Sequence, residues 1–276
     1  MNNNKLRIGK IQYANLFPIF HYLDRQCDIS RYRFVKGVPS HLNKLLREDK
    51  LDISPSSSIE YLRNKSKYLL LPCFSISSFG PIRSILLFSK YPLNELDGRL
   101  IAVSSESETS SILLKIILKD FLSLNCKFKS VNDHSVKKTL STFSAVLHIG
   151  DTALVEAKKL SSSGNRHAVP EIYDLGELWY KYTGLPFVFA LWVVKNKTIQ
   201  LKKELVKTLS DDLIAAKKYA VSSLSSIAKD APQRKWFSEK ELVEYWKLIS
   251  YDFTEKHLEG LKLFDKYAAR KKAVMF

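Results

Sequence analysis

The feature of this 276-residue chain that most restricts its fold is an alternation of short strand-like runs with amphipathic stretches, which holds as far as Val194 and then stops. Hydrophobic periods that switch back and forth in this way are the pattern of α/β layering. Residues 6–11 read as a first strand, and 14–23 as a loop entering a helix. Residues 33–38 form a second strand, followed by a helix over 40–51 with Leu42, Leu45 and Leu46 on one face. A short strand at 51–54 leads to Ser56, Ser57 and Ser58, which cap a helix ending at Leu62.

A second series begins after an apolar run at 82–88 and a connection at 91–98 punctuated by Pro92 and Gly98. Residues 100–103 read as a strand, 104–111 as a hydroxyl-rich loop, and 112–122 as a helix. A buried strand at 145–149 runs directly into Gly150, Asp151 and a helix over 152–160. Phe, Val and Trp favour a strand over 187–194. Beyond residue 198 the pattern is helical, with Ser238 and Glu241 forming a capping box and Leu258, Leu261 and Phe264 giving a last apolar stripe. The expected architecture has two lobes, residues 1–90 plus 195–276 and residues 97–190, with a ligand cleft between them.

Composition narrows the function classes. Lys and Arg number 44 against 28 Asp and Glu, a formal net charge of +16 that invites nucleic acid or anionic membrane as partners. The basic residues recur instead as pairs on helical segments (Lys137-Lys138, Lys158-Lys159, Lys202-Lys203, Lys217-Lys218), with one cluster at Arg270-Lys271-Lys272. No nucleic-acid-binding motif accompanies them, so they read as solvated helix faces. Cys27, Cys73 and Cys126 are widely spaced with no CxxC pair, against a disulfide framework or thiolate zinc site. His21, His41, His134, His148, His167 and His257 are scattered, and each reads as structural rather than metal-ligating. GxGxxG, Walker A, HExxH and GxSxG patterns are all missing. The polar start gives no apolar leader, and the longest apolar run, 187–194, falls far short of the roughly 18 residues of a membrane span. A cytoplasmic protein that uses neither metal nor cofactor is expected.

What remains is a set of polar residues where strands end and helices begin, the usual ligand position in open α/β sheets. Asn15 follows the first strand and suits an Asx-turn or a ligand contact equally. The run Ser107-Glu108-Thr109-Ser110-Ser111 brings hydroxyls and unpaired N–H groups to a helix start, where a carboxylate could be held; one hydroxyl suffices as a cap. Asp151 reads as an N-cap that could also orient a hydroxyl or accept a proton.

Six segments in order resemble one family: 13–18; Gly37-Val38-Pro39 with Leu42 and Leu45; 51–61; 79–89, with Gly80-Pro81-Ile82-Arg83-Ser84; Ile149-Gly150-Asp151-Thr152-Ala153-Leu154; and 182–192. Together they resemble chorismate dehydratases of the futalosine route to menaquinone, over about residues 6–195. The resemblance implies a two-lobed type II periplasmic-binding-protein-like fold and cofactor-free conversion of chorismate to 3-[(1-carboxyvinyl)oxy]benzoate and water. It assigns Asn15 a contact near the leaving hydroxyl or the ring, and Ser84 substrate binding. Thr109 and Ser110 would hold a carboxylate, and Gly150 and Asp151 complete the site. Because an Asn cannot be a general base, the proton acceptor is Asp151 or the substrate's own enolpyruvyl carboxylate. Two positions depart from the pattern, His148 where the family is usually apolar and Pro55 in a normally smoother segment. The competing readings are a 1,4-dihydroxy-6-naphthoate synthase-like enzyme of the same fold and a non-catalytic receptor for a small anion.

Overall fold

The computed structural model describes residues 5–162 and 170–272; His167 lies outside them. The chain opens with β1 (Leu6–Lys10), α1 (Phe17–Gln26), β2 (Tyr32–Lys36), α2 (Pro39–Arg47), β3 (Ile53–Ser57), α3 (Ser58–Arg63) and β4 (Tyr68–Ser78). It continues through β5 (Ile85–Ser89), β6 (Leu100–Ser104), α4 (Glu108–Ile116), β7 (Lys127–Val131), α5 (Val136–Leu140), β8 (Ala145–Ile149), α6 (Gly150–Ser162), β9 (Glu171–Asp174) and α7 (Leu175–Thr183). The last elements are β10 (Phe187–Lys195), α8 (Asn196–Lys229), α9 (Glu239–Trp246) and α10 (Glu255–Lys272). Local chemistry explains many of the ends. Prolines open α1 and α2, where the missing N–H costs nothing. Gly184, at φ +68, closes α7 in the left-handed conformation, and Ser238 with Glu241 forms the capping box of α9.

The strands form two five-stranded sheets, in the orders β2-β1-β3-β10-β4 and β7-β6-β8-β5-β9. The two follow one scheme. In the first, β1 pairs in parallel with β2 and β3, while β10 runs antiparallel to β3. In the second, β6 pairs in parallel with β7 and β8, while β5 runs antiparallel to β8 and β9. Each sheet therefore holds an antiparallel strand delivered by a crossing of the chain.

The chain divides into two units, Met1–Ser77 with Val188–Thr254 and Ser78–Phe187 with Glu255–Phe276. The expected boundaries, 1–90 plus 195–276 and 97–190, need correcting at three places. The crossing occurs at residue 78, because β5 hydrogen-bonds to β8 and β9 of the second unit. The return occurs at 188, because β10 pairs with β3. The final helix α10 belongs to the second unit, where Phe264 stacks edge-on against Trp179 and Phe187 and Tyr267 does the same against Phe121. Gly260 lets α10 come so close that an added Cβ would sit 2.1 Å from the Pro186 carbonyl oxygen.

Each unit has its own apolar core. In the first, Leu6 and Ile8 of β1, Ile53 of β3 and Leu191 to Val194 of β10 are buried, as are Leu16, Ile19 and Leu23, and the Phe20 ring of α1 lies 5.9 Å from that of Trp192. In the second, Leu86, Phe88, Ala102, Val146 and Ala153 cluster with Val136, Leu140 and Phe143. The serines at 56–58 do not cap α3 as expected. Ser56 and Ser57 lie inside β3, and the Ser58 hydroxyl donates to the Val188 carbonyl. Pro55 lies inside that strand, opposite Trp192 of β10, while the β1 ladder reaches β3 only at Ile53.

Candidate active site

In the second unit, Val103 of β6 stands opposite Leu147 of β8, and Ile85 of β5 stands opposite Ile149. The carboxyl ends of β6 and β8 and the amino end of β5 therefore share one edge of the sheet. The order β7-β6-β8 makes that edge a switch point, since the chain leaves β6 to one side and returns to the other. Five of the expected residues stand there. Ser84 precedes β5, Thr109 and Ser110 open α4 after β6, and Gly150 and Asp151 open α6 after β8.

Ser84 and Gly150 are joined directly, the Gly150 N–H donating to the Ser84 carbonyl oxygen at 2.7 Å. Gly150 adopts φ +59, which turns β8 sharply into α6. The Ser84 side chain is buried, and its hydroxyl makes no hydrogen bond to any described residue. Asp151 falls inside the first turn of α6 rather than at its cap, and it is half-buried.

The hydroxyls ahead of α4 are used more locally than the sequence suggests. Ser107 is the N-cap and accepts from the Ser110 N–H at 3.3 Å. Its hydroxyl also lies 3.0 Å from that of Ser110, while the Ser111 hydroxyl donates to the Ser107 carbonyl at 3.0 Å. Thr109 and Ser110 are both buried at the positive end of the helix dipole.

A residue outside the expected set organises the segment before Ser84. Asp174, at the end of β9 and the N-cap of α7, accepts from the Ile82 N–H at 2.9 Å and the Arg83 N–H at 2.5 Å through Oδ2. Its Oδ1 accepts from Gly176 at 2.8 Å and Glu177 at 3.2 Å. Burial pushes the Asp174 carboxyl up, against the opposing pull of these backbone donors. The signal was present in the sequence as Asp174 with Glu177 three residues on, ahead of an apolar helix.

Asn15 lies in the first unit, on the short turn Ala14–Leu16 after β1. Backbone atoms hold that turn. The Trp246 indole N–H donates to the Ala14 carbonyl at 2.7 Å, and the Tyr251 hydroxyl donates to the Asn15 carbonyl at 2.6 Å. The Asn15 side-chain oxygen is buried without a partner, an unusual state for an amide.

His148 is buried against Phe88 with Nε2 unpartnered, a structural position within the second unit. Burial depresses its pKa to about 4, only partly offset by Glu156. One lysine of each helical pair is ion-paired rather than merely solvated: Lys138 to Asp133, Lys159 to Glu156, Lys202 to Asp52 and Lys217 to Asp252. Among the described residues no group of three or more His, Cys, Asp or Glu is arranged to hold a metal ion, and no helix is long and apolar enough to cross a membrane.

Residues 6–270 match the menaquinone biosynthesis family. The chain belongs to that family. The chorismate dehydratase of Thermus thermophilus is 31% identical over 98% of this chain and 97% of its own length. In fold, a protein of Archaeoglobus fulgidus matches 99% of this chain and 100% of its own, at 15% identity and a TM-score of 0.78. The alkanesulfonate-binding protein of Xanthomonas axonopodis pv. citri, solved bound to MOPS, matches 98% of this chain and 94% of its own, at 13% identity and a TM-score of 0.68. This menaquinone biosynthesis protein thus has the periplasmic-binding-protein-like fold that its resemblance implied, with the antiparallel crossing strand in each sheet.

Proposed function

We propose that the protein is a chorismate dehydratase, a hydro-lyase that converts chorismate to 3-[(1-carboxyvinyl)oxy]benzoate and water. The observation that carries this reading is end-to-end similarity to the Thermus chorismate dehydratase within the menaquinone biosynthesis family. The free hydroxyl of Ser84 at the switch-point edge of the second sheet supports it.

The chemistry asks little beyond positioning. The C3–H bond electrons become the last ring double bond, hydroxide leaves C4, and the ring becomes aromatic. The elimination is redox-neutral and needs no electron acceptor. A proton must leave C3 and one must reach the departing oxygen. We assign the first to the substrate's enolpyruvyl carboxylate, held close by the site, which makes the step intramolecular, and the carboxylic acid so formed gives its proton to the departing oxygen so that water leaves. Asp151 is the alternative acceptor. Thr109, Ser110 and the first N–H groups of α4 supply an anion-holding end for a substrate carboxylate. Ser84 and the backbone of Gly150 line the ring, and the Asn15 amide polarises the C4 hydroxyl as it leaves.

Three unpaired thiols, Cys27, Cys73 and Cys126, suit a reducing compartment, so we assign the protein to the cytoplasm. Its partner is the small dicarboxylate, with neither nucleic acid nor membrane involved. Incubating the purified protein with chorismate alone, and following chorismate loss and the aromatic product by ultraviolet absorbance and mass, tests the proposal. Product formation without additives is expected. Tight binding with no turnover would favour a receptor, and an unchanged chorismate signal with no binding would remove chorismate as the ligand.

A further inference from the structure

We infer that Asp174 is a positioning residue for the reaction: its carboxylate holds the segment that presents the Ser84 hydroxyl. This rests on the dehydratase reading above.

The segment from Ser78 to Ser84 has backbone geometry that needs outside support. Gly80 sits at φ +106 and Arg83, a residue with a Cβ, at φ 58. A left-handed non-glycine residue persists only where its surroundings over-determine it. The support is one carboxylate. Asp174 Oδ2 takes the N–H groups of Ile82 and Arg83, the two residues immediately before Ser84, while Oδ1 takes those of Gly176 and Glu177 in the first turn of α7. The same side chain thus ends α7 and fixes the loop. Gly176 provides a second contact. A Cβ there would stand 2.6 Å from the Gly80 carbonyl oxygen and 2.8 Å from the Ser78 hydroxyl oxygen, so the loop lies directly on the first turn of the helix. Ser78 in turn donates its hydroxyl to Gly80 O at 2.7 Å. Past Ser84 the tether continues, because the Ser84 carbonyl accepts from Gly150. Hydrogen bonds thus tie α7 to the two residues before Ser84 and tie Ser84 itself to α6, and Asp174 is the only charged group that the described structure shows holding the loop backbone.

Asp174→Asn keeps the size of the side chain but replaces one double acceptor by an amide. It is expected to lower kcat by at least 10-fold with a smaller change in KM, and to speed amide hydrogen exchange at residues 82–84. Combined with Ser84→Ala, it should cost no more than Ser84→Ala alone, because two changes acting through one group are not additive. Should Asp174→Asn fold poorly, Gly176→Ala displaces the same loop from the other contact, and the same kcat loss is expected. Wild-type kcat in both variants, or a loss that multiplies with that of Ser84→Ala, overturns the inference. If the wild-type protein does not convert chorismate, the dehydratase reading falls on its own. Exchange at residues 82–84 then decides this inference alone, and protection unchanged in Asp174→Asn refutes it.

Discussion

The Gly150 N–H and the Ser84 carbonyl oxygen, 2.7 Å apart, couple the start of α6 to the start of β5 across the edge of the second sheet. Gly150 can point its N–H that way because it sits at φ +59. Gly150→Ala places a Cβ in the left-handed region, at roughly 1–2 kcal/mol. The expected result is a loss of that size in urea unfolding, with a larger proportional fall in kcat because Ser84 shifts with its partner. A stability loss with kcat unchanged would show that the Ser84 tether is not felt at the site.

Asn15 offers a cleaner separation of fold from function. Its turn is held through the Ala14 and Asn15 carbonyl groups by Trp246 and Tyr251, and the side-chain oxygen contributes no bond. Asn15→Ala therefore removes an unsatisfied buried acceptor and should leave the melting temperature nearly unchanged. Loss of one donor at a developing oxyanion costs about 100-fold or more in kcat. Steady-state kinetics beside a thermal melt would check both halves, and near-wild-type turnover would take Asn15 out of the mechanism.

How far the sequence disclosed this arrangement depended on burial. Strands β5 and β8, buried throughout, read as apolar runs broken only by His148 and the closing Ser89. The edge strand β7 did not, because Lys127 and Lys129 face solvent and leave no run to see. In β4, also at an edge, Pro72 and a left-handed Cys73 at φ 61 break the period. The polar residues at strand ends were visible because their positions are local. The assignment of α10 to the second unit was not, since it rests on Phe264 and Tyr267 meeting rings far away in the chain. For Asp174 the sequence marks only the local cap of α7, because the other two of its four donors lie about ninety residues earlier.

In the first unit, stability has a focus away from the candidate site. Asp52, buried between β1 and β3, takes the Arg7 backbone N–H and guanidinium and the Lys202 ammonium. Burial works to raise its pKa, but these donors together hold it below the usual carboxylate value. Lys202 reaches in from a kink in α8, where φ is −137 and ψ is 35. Asp52→Ala strands two cations and should destabilise the protein by about 3 kcal/mol, in line with breaking a buried pair from one side. Chorismate turnover by the folded fraction should be unaffected, since Asp52 lies on none of the segments that carry the candidate site residues. A shift in urea midpoint of less than a third of that expected from the wild-type m-value would mean the ion cluster is solvated rather than structural.

His148 should make the second unit acid-sensitive in a defined window. Its ring is buried on β8 beside Phe88, Nε2 has no partner, and burial depresses its pKa from 6.5 to about 4. Glu156 and Asp133 favour the charged ring and His134 opposes it, all more weakly than burial. The folded state therefore binds the proton less readily than the unfolded chain. Stability is fully present above about pH 6.5 and declines as pH falls toward 4, by an amount on the order of 3 kcal/mol over that span. His148→Leu removes the titrating group and fits a strand whose neighbours are Leu147, Ile149 and, across the ladder, Leu86. At pH 7.5 the variant should match or exceed wild type, because an unsatisfied buried nitrogen is lost. Between pH 6.5 and 4 its advantage should widen steadily, as read from urea midpoints at half-unit steps. Parallel stability curves for the two proteins across that range would show that His148 finds a proton-accepting partner in the folded state.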